Sequence, residues 1–362
     1  MDVSGTPNIK TTSEWPFSHS QLLAGLRQYY HDRLLRLEKI HIVHLASTDM
    51  TLSFGEAGTR LHHLIIEMTI DGDDASETFI LKEPPVTNNG RVLSAVGQRE
   101  YGIYRWLTPH LPIEVPRLVL GDAYDGWLVM EYLPDLPAPE AWQAENYYTA
   151  ITNLVTLHDR FWGGSEHFNI YGWLARPLGA DYTTTAIAAA QAVYRLIMND
   201  HLTPLSRVDL YQMFSHLIQS ADDIVAPLRH ETQTLLHGDY WPGNIGCMSN
   251  NRQVIFDWQL ASIGPSILDF VGFIQTVQLY TDPALSVEAM IAFYREELQQ
   301  CALANWDDES FTHLWDHALM WLFTMNWIGK LAVMPLDNYT SIHERFWRVW
   351  IEPVQQAAER WL

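Results

Sequence analysis

The chain has 362 residues, 43 acidic against 22 basic side chains for a formal net charge of −21, and 48% hydrophobic residues, enough for one large two-lobed domain or two ordinary ones. A field of that sign repels nucleic acid and anionic lipid and attracts small cations, so neither a nucleic-acid nor a membrane partner is expected, although an acidic surface also serves solubility. Its two cysteines, Cys247 and Cys301, have no CxxC spacing and encode neither a zinc site nor a disulfide framework.

The first seventeen residues lack a basic region followed by an apolar run, so no export signal is read and a cytoplasmic protein is expected. Residues 19 to 38 repeat apolar positions at three- and four-residue spacing after a Ser-rich start, which predicts an amphipathic helix. Strands are predicted at 40 to 46, 61 to 70 and 78 to 83, β-branched or apolar runs separated by Gly/Asp-rich turns such as DGDDAS. RVLSAVGQREYGIYRWLTPHL has helical spacing and is stopped by proline, and PRLVLGDAYDGWLVMEYL reads as a hairpin. LPDLPAPE, residues 133 to 140, reads as a linker, dividing the chain into lobes at 1–132 and 133–362.

Beyond it, helices are predicted at 140 to 162, 183 to 200, 204 to 228, 266 to 280, 286 to 304, 308 to 332 and 341 to 361, with one strand-rich island at 233 to 257. The apolar segment 317 to 336 carries His317, Asn326 and Lys330 and ends near Pro335, so it reads as a buried helix and not a membrane span. There is no internal repeat. A sheet lobe followed by a helical lobe implies a ligand cleft at their junction.

The strand-rich island holds LLHGDYWPGNI, residues 235 to 245, and runs into FDWQ, residues 256 to 259. Phosphoryl transfer needs charge neutralisation and in-line positioning more than covalent work from the protein. One carboxylate orients the acceptor hydroxyl and takes its proton, while an amide oxygen and a second carboxylate hold Mg²⁺ against the phosphates. Asp239, Asn244 and Asp257 are three such groups in order, with Pro242 and Gly243 supplying the turn and VIF a buried strand that delivers Asp257. Taken singly, Asp239 is equally a turn residue, Asn244 a C-cap and Asp257 an N-cap; their joint order argues for the site.

HGDYWPGN followed by DWQ resembles the motif of the aminoglycoside phosphotransferase and choline kinase superfamily, which shares the protein-kinase fold. HGD in place of HRD and DWQ in place of DFG resemble its small-molecule branch, including the ecdysteroid-kinase-like members. LVTLHDRFWG (residues 154 to 163) and GPSILDF (264 to 270) are similar to further segments of these families. The resemblance covers roughly residues 40 to 330. It implies an α+β, protein-kinase-like two-lobed fold, with a small antiparallel-sheet N-lobe and a mostly helical C-lobe.

It also implies an ATP- and Mg²⁺-dependent kinase of small-molecule hydroxyls, GTP being the other nucleotide to consider. In that frame Asp239 is the catalytic base and Asn244 and Asp257 are metal ligands. Lys82, in FILKEPP, matches the lysine that contacts the α- and β-phosphates, and Glu100, eighteen residues on, its helix partner. Without the motif these two read as a strand-end cation and a helix-surface charge. WLVMEYLP resembles the strand and hinge of adenine recognition, with Met130 lining the site and backbone groups of Glu131, Tyr132 and Leu133 pairing with the base. Gly55 and Gly58 lie in SFGEAGTR, which is not G-x-G-x-x-G and reads either as a phosphate-cradling turn or as an ordinary hairpin turn. His237 reads as a packed structural histidine.

The Trp-, Tyr- and Asp-rich helical half suits a cationic or amphipathic alcohol, although aromatic residues at helical spacing also build cores. The acceptor stays open among aminoglycosides, macrolides, amino alcohols, sugars and sterol-like alcohols, and the oligomeric state has no signature. Two other readings are a kinase-fold nucleotide-binding protein with little turnover, and a two-metal phosphohydrolase. The full set of five polar residues argues against the first, and the lack of further His/Asp ligands beside HGD against the second. A protein kinase is disfavoured by the missing arginine before Asp239 and the missing APE-type segment.

Overall fold

The computed structural model describes residues 15–45, 57–87, 94–134, 136–198, 208–248, 252–301, 303–331 and 344–362. The chain divides into two compact units, Met1–Pro109 with Val115–Asp135, and His110–Glu114 with Leu136–Leu362.

The first unit opens with helix α1, His19–Tyr29. Ser18 Oγ accepts from the Gln21 N–H while the Gln21 side chain accepts from the Ser18 N–H, a reciprocal cap that satisfies two orphan donors. The helix is shorter than its periodicity predicts. His31 adopts a left-handed φ of 57°, and from Arg36 the chain pairs as strand β1, Arg36–Leu45, against Thr69 and its neighbours. Cross-strand pairing thus overrides the helical spacing of 31 to 38.

Strands β2, Ala57–Ile70, and β3, Asp73–Thr87, form a long hairpin. Its two turn residues, Asp71 and Gly72, have φ of 52° and 93°, as a right-twisted two-residue connection requires. The buried Asp32 carboxylate braces this turn, accepting from the Asp71 and Leu34 N–H groups, and those donors hold it below the usual carboxylate range. Helix α2, Ser94–Gly102, follows and runs into a π-helical turn, Ile103–Leu107. Strands β4, Leu118–Gly121, and β5, Leu128–Glu131, complete an antiparallel sheet of order β1-β2-β3-β5-β4.

Side chains alternate across this sheet. Leu64, Ile66, Met68, Phe79, Leu81 and Val129 are buried in one core with Leu22 and Leu26 of α1. Each fully buried leucine contributes about 2–3 kcal/mol by area.

The second unit is mostly helical. Its long helices are α3, Ala144–Arg160; α4, Tyr182–Met198; α5, Val208–Gln219; and α6, Ala221–His230. The single helix predicted over 204 to 228 is in fact two, separated at Ser220, whose backbone leaves the regular helical region with ψ of 14°. Strand β6, Gln233–Leu236, pairs antiparallel with β9, Ser262–Pro265, and between them lies the small hairpin of β7, Ile245–Cys247, and β8, Gln253–Ile255. Helix α7, Ile267–Tyr280, is buried on nearly all sides, and its Phe270 ring stacks at 3.7 Å on Tyr294 of α8, Val287–Gln300.

Helix α9, Asp308–Leu322, passes through a π-helical turn, Phe323–Trp327, into α10, Ile328–Leu331. Among the described residues no helix is long and apolar enough to cross a membrane. A last helix, Glu352–Trp361, packs on α9.

His317 of α9 is buried, and its Nδ1–H donates to the Ile224 carbonyl at 2.9 Å. Burial pushes its pKa down, and the neighbouring His313 adds to this against the opposing effects of that hydrogen bond and Asp316. An imidazole with a depressed native pKa binds its proton more readily in the unfolded chain, so stability is full above the unfolded value of about 6.5 and declines as pH falls. Thermal melts are therefore expected to fall more steeply below that pH in the wild type than in His317→Asn. Parallel pH profiles would contradict the assignment.

Candidate active site

The site grows out of the end of β6. After Leu236 the chain turns through His237, Gly238 and Asp239, and Gly238 takes a φ of 82°. A side chain there would be strained and would also collide with the Leu260 carbonyl. The glycine that distinguishes HGD from HRD is thus demanded by the local backbone.

This turn is held by Asp269, in the first turn of α7 and only 4% exposed. Its Oδ2 accepts the His237 N–H and its Oδ1 the Gly238 N–H, each at 2.8 Å. Oδ2 also lies 3.2 Å from Nε2 of the fully buried His158 in α3, and the His158 carbonyl accepts the Thr234 hydroxyl of β6. One buried carboxylate therefore ties β6, α3 and α7 to the turn. Three segments similar to known families, LHDRFW, HGD and GPSILDF, meet at this carboxylate.

His237 is held at both ring nitrogens. A carbonyl can only accept, so Nε2 carries the proton donated to Phe256 O at 3.0 Å; a backbone N–H can only donate, so Nδ1 accepts from Asp239 N at 3.3 Å. The ring also packs 4.5 Å from that of Trp258. These contacts define a neutral imidazole that orients the loop.

Asp239 is exposed, in contrast to the groups around it. Its Oδ2 and its own carbonyl both accept from Asn244 Nδ2, at 2.9 and 2.8 Å. Asn244 ends a 3-10 turn that Pro242 starts with its preset φ. Because its amide nitrogen is committed to Asp239, the Asn244 oxygen is the end left to accept a hydrogen bond or a cation. The Asn244 carbonyl accepts the Phe256 N–H at 3.0 Å, which brings Asp257 beside the loop. Asp257 follows β8 in a left-handed conformation, φ 65° and ψ 60°, a region that aspartate tolerates better than most residues and that is enriched at functional sites.

Two carboxylates and an amide oxygen are a hard, all-oxygen donor set. That chemistry fits Mg²⁺, which is commonly held by one or two carboxylates together with the phosphates of its ligand. Among the described residues there is no cluster of three or more His, Cys, Asp or Glu side chains suited to a metal.

Tyr280 is a residue of this region that no sequence motif marks. It ends α7, and its ring lies 5.3 Å from Trp241. Burial first, and then the Asp239 carboxylate, push its phenol far above the usual range. Nothing in its sequence context marks it. Asp269 and His158 were visible only as members of similar segments.

In the first unit, Lys82 of β3 lies between Leu61 of β2 and Leu128 of β5. Its Nζ is 3.0 and 2.7 Å from the two carboxylate oxygens of Glu100 on α2. Lys82 is 5% and Glu100 1% exposed. Removing either partner of such a buried pair leaves an uncompensated charge and costs about 3–5 kcal/mol. Met130 pairs with Ile80 and with Leu118 in the sheet. The Glu131 N–H donates to the Arg117 carbonyl. Tyr132 places its ring 4.8 Å from His63, and Leu133 is half-buried just beyond.

Gly58 is not in a turn, as its sequence context suggested. It pairs with Val86 within β2, next to a register shift between Gly58 and Arg60, and a glycine beside such a bulge relieves crowding in the ladder. Gly55 lies outside the described residues.

Residues 70–304 match the family model described as "Phosphotransferase enzyme family". No curated protein matches the sequence. Among solved structures, a choline kinase from Cryptosporidium parvum Iowa II aligns with a TM-score of 0.54 at 11% identity, over 89% of this chain and 90% of that one. The amicoumacin kinase hAmiN, in complex with AMP-PNP, Ca²⁺ and Ami, aligns with a TM-score of 0.53 at 14% identity, over 95% and 96%. An ethanolamine kinase from Plasmodium vivax gives 0.53 at 9% identity, over 88% and 83%. At these identities the likeness is one of fold.

Proposed function

We propose, from the premise that this chain belongs to the phosphotransferase enzyme family and has its protein-kinase-like α+β fold, that it is an ATP- and Mg²⁺-dependent kinase of a small-molecule hydroxyl. The observation that carries the reading is the single hydrogen-bonded loop in which Asn244 holds both the carboxylate and the carbonyl of Asp239 and is tied through Phe256 to Asp257.

In this reading residues 1–132 bind the nucleotide, and 133–362 carry the catalytic and acceptor groups. Lys82, oriented by Glu100, meets the α- and β-phosphates. The segment Met130 to Leu133 takes the base. Asn244 Oδ1 and the Asp257 carboxylate hold Mg²⁺, which supplies charge neutralisation for the phosphates when bound.

The Asp239 carboxylate, fixed through Oδ2 by Asn244, accepts the acceptor's hydroxyl proton as that oxygen bonds to the γ-phosphorus. The bond from the γ-phosphorus to the β,γ-bridging oxygen breaks, ADP carries away the electron pair, and the proton passes from Asp239 to solvent. ATP is the expected donor and GTP the alternative. The hAmiN complex holds an ATP analogue, and another neighbour of similar fold was solved with GDP.

The Tyr280 ring lies near Asp239 and 5.3 Å from the Trp241 ring on a chain of charge −21. Aromatic faces next to a carboxylate favour a cationic or amphipathic alcohol.

Titration calorimetry of ATP with and without Mg²⁺ tests the nucleotide half. Asp257→Ala is expected to abolish the Mg²⁺-dependent part of the affinity. If Mg·ATP binds this variant as it binds the wild type, Asp257 is not a metal ligand.

A further inference from the structure

The chain is strongly acidic, yet the sequence around Asp239 holds few charges. Residues 240–251, 258–268 and 270–281 include no Asp, Glu, Lys or Arg, in a chain with 43 acidic and 22 basic side chains. Of the carboxylates between these stretches, Asp269 is buried on the His237 and Gly238 N–H groups, and Asp257 is the proposed metal ligand. Just past α7, Asp282 is paired with Arg345. An acceptor carrying several ammonium groups needs a carboxylate for each, and these segments leave it only Asp239.

What the same segments expose is apolar. In the 3-10 turn Trp258–Leu260, Trp258 is buried against His237, whereas Leu260 is 43% exposed. A Cβ placed on Gly238 would fall 3.0 Å from the Leu260 Cβ, so the leucine stands against the turn that presents Asp239. Strand β9 then runs with β6 on one edge and Ala175 on the other, where the Ile263 N–H donates to the Ala175 carbonyl at 2.9 Å. Two residues before the Ala175–Ser262 contact, on the two stretches of chain, are Trp173 and Leu260. The Trp173 ring lies 5.2 Å from that of Tyr171. The neighbouring Arg176 is turned onto the Phe168 and Leu174 carbonyls of its own loop.

On the kinase reading above, we infer that Leu260 is a specificity-determining residue that receives the body of the acceptor, and that the acceptor is a neutral alcohol with an apolar body, of the fatty or sterol-like class. Its hydroxyl meets Asp239 while the carbons beside it cover Leu260 and the aromatic segment that leads to Ala175. Removing this apolar surface from water supplies binding energy. A charge at position 260 would be left without a partner under the bound acceptor.

The test incubates the intact chain with Mg·ATP and, in separate assays, octanol, dodecanol and cholesterol as one set, or kanamycin, glucose and choline as the other. Phosphorylated product is scored by mass spectrometry and is expected from the first set. With the best acceptor of that set, Leu260→Asp should raise KM and lower kcat/KM about ten- to a hundred-fold, the range that small changes in an apolar pocket cost. Its kcat and its Kd for Mg·ATP should stay within a few-fold of the wild type. Leu260→Met, which keeps an apolar side chain of similar volume, should retain most of kcat/KM. Thermal melts of both variants should overlay that of the wild type, because the side chain is exposed.

No product from the first set, equal or better turnover of the second, or wild-type kcat/KM in Leu260→Asp overturns the inference. So does an equal loss of Mg·ATP affinity in that variant, which would mark a structural role. A wild-type chain that does not bind Mg·ATP overturns the kinase reading itself.

Discussion

Asp239→Asn is expected to lower kcat about 10²- to 10⁴-fold, the usual contribution of a positioned general base, while Mg·ATP affinity stays within a few-fold of the wild type. The asymmetry follows from position. Asp239 is exposed at the end of the loop, and its side chain accepts from the Asn244 amide. The loop itself is held from behind by Asp269. An asparagine can keep an oxygen toward the Asn244 amide, so the fold is preserved and the base is lost. Steady-state kinetics with a matched nucleotide titration would check this, and unchanged kcat would remove Asp239 from the role of base.

Asp269→Ala is expected to act through structure. The substitution strands the buried His237 N–H and the partly buried Gly238 N–H and takes away the partner of His158 Nε2. Each unsatisfied buried donor costs about 1–3 kcal/mol, so a loss of roughly 3–5 kcal/mol is expected. For a unit of this size that corresponds to a fall in Tm on the order of 10 °C. Activity should be lost as well, because the turn that aims Asp239 is no longer anchored. Asp269→Asn keeps one acceptor oxygen and should fall between the two. A melting curve for Asp269→Ala that overlays the wild type would show that the turn is held by something else.

The two variants separate what the loop does from what holds it. They also show which parts of the site can be read along a chain. Asp239, Asn244 and Asp257 are legible because chemistry requires particular atoms at short sequence spacing. Lys82 and Glu100 enter only through the family resemblance, and the structure brings them together as a buried pair. Asp269 is different: it lies 30 residues beyond Asp239 and holds the turn through the backbone N–H groups of His237 and Gly238, which carry no side-chain signature. Its importance is set by the folded path of α7, which no local pattern encodes. Tyr280 is hidden for a related reason, since it comes beside Asp239 only through the folded path of α7.

The secondary structure shows the same division. Elements with strong periodicity, such as α3, α7, α8 and the β2–β3 hairpin, are found where spacing predicts them. The helix expected to continue to residue 38 stops before β1 because Arg36 to Lys39 gain strand partners in β2. Strand β9 escapes notice because it is four residues long and ends in proline, a residue tolerated only at the edge of a ladder. Gly58 is misread as a turn residue because a glycine beside a bulge and a glycine in a hairpin look alike in sequence.

The most direct test of the central claim is transfer itself. The purified chain is incubated with Mg·ATP, and in parallel with Mg·GTP, against pooled aminoglycosides, macrolides, amino alcohols, sugars and sterol-like alcohols, with mass spectrometry scoring products heavier by one phosphoryl group. A phosphorylated product is expected, favoured among cationic or amphipathic alcohols, that disappears with Asp239→Asn. A product formed equally well by Asp239→Asn would contradict the assigned mechanism, and a chain that neither binds Mg·ATP nor phosphorylates any pool would contradict the kinase reading.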